Sequence, residues 1–225
     1  MSDPAGAGEE FLSLEILRVG ATPEANGQVK LAIATSRGEI PGVLHPYQGG
    51  EGAVIWVGGA IGGLNGPAGG IYATLSDELV EAGLTSLRLD YRMAGELEEC
   101  VLDTLAGVSV LSGLGAERIA LVGHSFGGAV VITAGTLSPA VTAVAALSSQ
   151  TAGATGAGKL TPRPLLLVHG EDDSHLTYRC SEMIYEWAGE PKELKIMRGA
   201  GHGLRECADE LRLLLRDWLV ERLAG

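Results

Sequence analysis

One serine, in the stretch Gly123-His124-Ser125-Phe126-Gly127, stands between glycines two residues away on either side. A serine hydroxyl attacks a carbonyl effectively only when a base takes its proton, and that base is ordinarily an imidazole oriented by a carboxylate. Five histidines are available. His45 stands far upstream, and His124 lies inside the serine turn, where its ring is expected to point away from the hydroxyl. His169 ends an apolar run and is expected to order the loop below it, while His175 follows an acidic turn and is a weaker candidate. His202, in Met197-Arg198-Gly199-Ala200-Gly201-His202-Gly203, has glycines on both sides that permit a tight loop, and is the expected base. The carboxylate is expected in His169-Gly170-Glu171-Asp172-Asp173, where Asp172 and Asp173 are both candidates. Together these residue types support acyl transfer through a serine nucleophile.

Such groups meet only if the elements carrying them end at one edge. Apolar runs at Ala53–Val57, Thr85–Leu89, Arg118–Val122, Val141–Leu147, Pro164–His169 and Glu193–Met197 read as strands, and most do not alternate, as expected for parallel strands covered on both faces. Before them, Val29–Ser36 and Glu39–Leu44 flank Arg37-Gly38 and predict a hairpin at one edge. Helical patterns at Ile71–Ala82, Glu96–Leu114, Phe126–Leu137, Leu176–Trp187 and Leu204–Leu223 fill the intervals. This alternation predicts one α/β domain over residues 29–225, after an N-terminal segment of residues 1–28, with a mostly parallel sheet of about seven or eight strands flanked by helices. The serine lies between the strand at Arg118–Val122 and the helix from Phe126, so it occupies a sharp strand-to-helix turn that needs small residues on both sides.

Composition excludes several other functions. With 46% hydrophobic residues the chain is globular, and a formal charge of −12 argues against nucleic acid or an anionic membrane surface as partner. Gly153 to Lys159 satisfies the first part of a phosphate-loop pattern, but Leu160 stands where the metal-binding Ser or Thr is required, and no helix follows. The glycines from Val57 to Gly70 lack the dinucleotide spacing. Cys100, Cys180 and Cys207 have no C-x-x-C spacing and read as reduced thiols, and "HGEDDSH" lacks the spacing of a metal site. The start of the chain has no signal-peptide pattern and no apolar run reaches membrane-spanning length, so a cytoplasmic location is expected.

The order Ser125, Asp173, His202, with the serine in a G-x-S-x-G turn, resembles the α/β-hydrolase superfamily over residues 29–224. The compact length, the absence of room for a lid and the segment "HGEDD" are most similar to its dienelactone-hydrolase-like and small carboxylesterase branch. The resemblance implies that the last residue of H-G-x-x-D, Asp173, is the acid. It also implies an oxyanion hole formed by the Phe126 N–H and by Gly59 or Ala60 in "VGGAIGG", where Val57 replaces the histidine of many relatives. Tyr91, with Arg92, and His124 are candidates for the pocket, although supporting the loop is the stronger expectation for Tyr91. Dienelactone hydrolases proper use cysteine as nucleophile, so Ser125 makes dienelactone a poor candidate substrate. The expectation is a lidless serine hydrolase acting on a small-molecule ester, without metal or organic cofactor. An acyl thioesterase or acyl transferase with the same residues, and a non-catalytic binding protein of the same fold, are the alternatives.

Overall fold

A computed structural model describes residues 13–224. Nine strands form one sheet: β1 (Ile16–Pro23), β2 (Val29–Thr35), β3 (Gly38–His45), β4 (Gly52–Val57), β5 (Thr85–Leu89), β6 (Arg118–His124), β7 (Val141–Leu147), β8 (Leu165–Gly170) and β9 (Lys192–Met197). Their spatial order is β1-β2-β3-β5-β4-β6-β7-β8-β9. The first three strands and the β3–β5 pair are antiparallel, and every pairing from β5 through β9 is parallel.

The expected hairpin is present as β2 and β3, with Thr35 opposite Gly38. The sheet has one strand more than the expected seven or eight: β1, within the segment that the sequence set apart as residues 1–28. It is an edge strand whose residues are half-buried at Ile16 and Gly20 and exposed elsewhere. A strand held mainly by backbone pairing to β2 leaves little apolar alternation to be read from sequence.

Five helices connect and cover the strands: α1 (Ile71–Glu81), α2 (Leu97–Gly113), α3 (Phe126–Leu137), α4 (Arg179–Trp187) and α5 (Ala208–Leu223). All six residues of β4 are buried, which explains why its sequence is apolar throughout. Ile55 and Val57 face the core shared with α2, α3 and α4, while Val54 and Trp56 face the core shared with α1 and α5. All five helices flank the sheet, and among the described residues no helical domain is inserted over it. No described helix is long and apolar enough to cross a membrane.

Two helices begin later than the periodicity suggests. Residues 173–178 wrap the Asp173 side chain, which accepts the N–H groups of His175 (2.8 Å) and Leu176 (2.9 Å), so α4 starts at Arg179. Leu204 adopts φ 52°, a left-handed conformation that a helix cannot contain, and α5 starts at Ala208.

β5 and β6 lie on opposite sides of β4, so the chain reverses its direction across the sheet there and the loops leaving β4 and β6 diverge. Parallel sheets bind ligands at such a switch point, beyond the carboxyl ends of the strands. Ser125 follows β6 at this crevice.

Candidate active site

Ser125 has φ 58° and ψ −120°, outside the ordinary regions for a residue with a side chain. The turn is held by the Ser125 N–H donating to the Leu147 carbonyl on β7 (2.8 Å) and the Gly128 N–H donating to the Ser125 carbonyl (3.0 Å). Glycine is required on both sides for steric reasons. A Cβ at Gly123 would fall inside the van der Waals shell of the Gly127 carbonyl oxygen, and one at Gly127 would do the same to the Gly58 carbonyl oxygen. The turn therefore presents the hydroxyl at the amino end of α3, where aligned peptide dipoles favour developing negative charge.

The loops after β8 and β9 bring two further side chains to this serine. His202 Nε2 is 3.0 Å from Ser125 Oγ, and His202 Nδ1 is 2.7 Å from Asp173 Oδ2. Asp172, the other carboxylate considered, is exposed on the surface with its N–H bonded to the Ala200 carbonyl (2.9 Å). Burial alone would raise the Asp173 carboxyl, but the Leu176 and His175 N–H groups and the His202 ring together hold it below the usual carboxylate range. An ionised Asp173 keeps the His202 proton on Nδ1 and leaves Nε2 free to accept from the serine hydroxyl.

His169 orders this loop, in keeping with the sequence expectation. Fully buried, it donates from Nε2 to the Leu176 carbonyl (2.8 Å) and the Asp173 carboxylate (3.2 Å), and accepts at Nδ1 from the Ser181 hydroxyl (2.7 Å). Burial lowers the pKa of its ring.

His124 departs from expectation, since its ring does not point away from the site. It is the last residue of β6, and its Nε2–H donates to the His202 carbonyl (2.9 Å) with the two rings 4.9 Å apart. Burial holds it down to about 4, so the ring stays neutral. His175, a weaker candidate for the base, is exposed on the opposite flank of His202 at 5.3 Å between ring centroids and lines the same cleft.

The glycine loop after β4 forms the other wall. Its geometry is held by the Gly62 N–H bonded to the Gly59 carbonyl (3.0 Å) and by the Gly63 N–H bonded to Asp90 Oδ1 (2.7 Å). Tyr91, for which support of the loop is the stronger expectation and a place in the pocket the weaker, is buried behind this loop and does not line the cleft. Its hydroxyl donates to the Gly58 carbonyl (3.2 Å) and its ring meets Phe126 edge-on at 6.2 Å. Arg92 is likewise turned inward, onto Asp103 and onto Glu99 (2.9 Å). Asp90 was not singled out by sequence; a carboxylate directly after an apolar strand end was its only signal.

Gly59 and Ala60 both line the cleft beside Ser125, which has a volume of about 670 Å³. A Cβ at Gly59 would lie 3.7 Å from Ser125 Cβ. Phe126 is the first residue of α3, so its N–H has no acceptor within the helix. Among the described residues, no group of three or more His, Cys, Asp or Glu side chains is placed to hold a metal ion. Cys100 and Cys207 are buried, Cys180 is half-buried, and all three thiols are free.

No protein-family model and no curated protein sequence matches the chain. Solved structures do match in fold. The α/β hydrolase GrgF from Penicillium sp. sh18 superposes with a TM-score of 0.68 at 18% identity, covering 95% of this chain and 100% of its own. Est1E from Butyrivibrio proteoclasticus, also solved with ferulic acid bound, gives 0.72 at 18% identity over 87% of this chain and 99% of its own. A dienelactone hydrolase from Anabaena variabilis ATCC 29413 gives 0.68 at 19% identity over 91% and 99% of the two chains.

Proposed function

Starting from the α/β-hydrolase fold of this chain, we propose that the protein is a serine hydrolase of the dienelactone-hydrolase-like and small carboxylesterase kind, which cleaves a small ester through an acyl-enzyme. The observation that carries this reading is the run of contacts Ser125 Oγ–His202 Nε2 (3.0 Å) and His202 Nδ1–Asp173 Oδ2 (2.7 Å), with the serine at the amino end of a helix.

In the proposed reaction, Ser125 Oγ attacks the carbonyl carbon as His202 Nε2 takes its proton. Asp173 keeps His202 in the required tautomer and offsets the charge of the imidazolium. The N–H of Phe126 and that of Gly59 or Ala60, both of which line the cleft, receive the oxyanion. His202 then gives the proton to the departing alcohol. In the second half, His202 takes a proton from water, the hydroxide attacks the acyl carbon, and Ser125 leaves with the proton returned. No step calls for a cofactor. The half-open cleft and the absence of an inserted helical domain among the described residues favour small esters over long lipids. The ferulic acid in Est1E supports an acid component of about that size.

The test is a fluorophosphonate followed by intact-mass measurement, beside rates on p-nitrophenyl esters of increasing acyl length and on the matching acyl-CoA thioesters. One adduct on Ser125, none in Ser125→Ala, and highest kcat/KM on short oxygen esters are expected. An unlabelled Ser125 with no ester hydrolysis overturns the reading and leaves a binding protein, and Ser125→Ala with full esterase activity overturns Ser125 as the nucleophile. Preference for the acyl-CoA series would make it a thioesterase.

A further inference from the structure

The cleft at Ser125 continues past His124. Asn65, Gly66 and His124 belong both to its wall and to the wall of an adjoining cleft of about 680 Å³. The second cleft is closed by residues 67–70, by Ala73 in the first turn of α1, and by Gly203 and Arg205 from the loop that carries His202. The Ala68 N–H donates to the Gly203 carbonyl (2.7 Å) and joins the two loops. Leu204, fully buried at φ 52°, reverses the backbone between Gly203 and Arg205, and Arg205 emerges exposed. The Arg205 side chain folds back along the loop, since a Cβ at Gly203 would lie 3.9 Å from its Nε.

Among the described residues, Arg205 is the only lysine or arginine lining either cleft. Among the described residues no carboxylate stands within ion-pair distance of it; the neighbouring Glu206 accepts the Gly201 N–H (3.1 Å), and backbone N–H groups first and the nearby Arg205 after them hold its carboxyl below the usual range. The helix end nearby offers little to an anion. The N–H groups of Ile71, Tyr72 and Ala73 are taken by the carbonyls of Pro67, Asn65 and Gly70, at 3.0, 3.2 and 3.2 Å. Asn65 is exposed on the shared wall, where its amide can donate a further bond.

Reaction chemistry distinguishes the two clefts. The imidazole that protonates a leaving group must face it, so the leaving group departs on the side of the His202 loop. His202 itself lines the serine cleft, Gly203 and Arg205 next along its loop bound the second cleft, and Asn65 and Gly66 of the loop after β4 stand in both walls, so a leaving group protonated at His202 has the second cleft as its continuation past His124. Resting on the serine-hydrolase reading, we propose that the second cleft is the leaving-group subsite. There Arg205 recognises an anionic group, a carboxylate or phosphate, on the alcohol or thiol part of the substrate, while the acyl part is neutral. A guanidinium suits this role because its planar fork matches either anion with paired N–H donors. Against a chain charge of −12, which repels anions at long range, a local cation is what makes such a substrate admissible.

The test compares kcat/KM for 4-acetoxybenzoate and for its neutral counterpart 4-acetoxybenzamide in the wild type, Arg205→Gln and Arg205→Lys. The intrinsic reactivities of the two esters cancel when their ratio is followed from one protein to the next. The anionic-to-neutral ratio is expected to fall about tenfold in Arg205→Gln and about threefold in Arg205→Lys, the size of a charge-assisted contact at a partly exposed site. A ratio that moves less than twofold in Arg205→Gln overturns the subsite while the hydrolase reading stands. If the wild type hydrolyses neither ester and Ser125 takes no fluorophosphonate, both readings fall.

Discussion

Asp173→Asn replaces one carboxylate oxygen with an amide nitrogen at the point where the loop, the base and the buried His169 meet. Oδ1 accepts two backbone N–H groups, from His175 (2.8 Å) and Leu176 (2.9 Å), while Oδ2 faces His202 Nδ1 (2.7 Å) and His169 Nε2 (3.2 Å). An asparagine that keeps its oxygen on the two backbone donors must turn its NH2 toward the rings. The flipped amide would set its NH2 against both N–H groups, leaving unmade bonds that cost about 1–3 kcal/mol each. The first orientation therefore wins, and it forces His202 Nδ1 to accept. The ring proton then sits on Nε2, where it donates to Ser125 Oγ and cannot take the serine proton. The variant also loses the carboxylate beside the imidazolium, worth about 4 kcal/mol for unit charges about 4 Å apart at an effective dielectric of 20. A fall in kcat of about 10³- to 10⁴-fold is expected, equal to about 4–5.5 kcal/mol of barrier. The assay is initial rate on p-nitrophenyl acetate with circular dichroism to verify the fold, and Asp172→Asn as a control expected to keep its activity. A loss of less than tenfold in folded Asp173→Asn would show that His202 is not oriented by this carboxylate.

Two other perturbations follow from the same geometry. Gly127→Ala drives a methyl into the Gly58 carbonyl, so the start of α3 and the glycine loop must part; destabilisation of about 3 kcal/mol in urea unfolding and a large loss of activity are expected. By contrast Gly113→Ala, at the end of α2 with nothing within 4 Å of the new methyl, is expected to stabilise by about 0.5–1 kcal/mol. Equal stabilities for these two variants would refute the steric reading of the turn. Stability should also fall in mild acid, because His124 and His169 both have folded pKa values lowered by burial and the unfolded chain then binds more protons. Their contribution is complete above the unfolded imidazole pKa of about 6.5 and is lost as pH falls below it. For His124, held at about 4, the loss reaches about 3 kcal/mol at pH 4. Urea midpoints at pH 7, 5.5 and 4 measure this, and a His124→Gln variant with the same pH dependence as the wild type would remove His124 as the cause.

Much of the fold was legible because parallel strands buried on both faces must be apolar throughout. β5, β7 and α3 begin and end where the sequence places them, and β6 extends two residues further, to His124. Departures occur where a side chain or a distant strand overrides local pattern. The Asp173 carboxylate collects the N–H groups that would have begun α4, Leu204 breaks what would have been the first turn of α5, and β1 exists through its pairing with β2.

By itself the sequence determined the turn at Ser125, since Gly123 is required by the backbone immediately around it, and it ordered Ser125, Asp173 and His202 along the chain. Tertiary structure decided which groups meet. Because β6, β8 and β9 run parallel, residues 77 apart in sequence, Ser125 and His202, end at one edge of the sheet 3.0 Å apart. The same assembly turned Tyr91 behind the glycine loop, laid His124 against the base loop and set Arg205 beside the adjoining cleft. Side-chain direction at a loop depends on what packs against it, and for Tyr91 and His124 the packing partner comes from a loop distant in sequence.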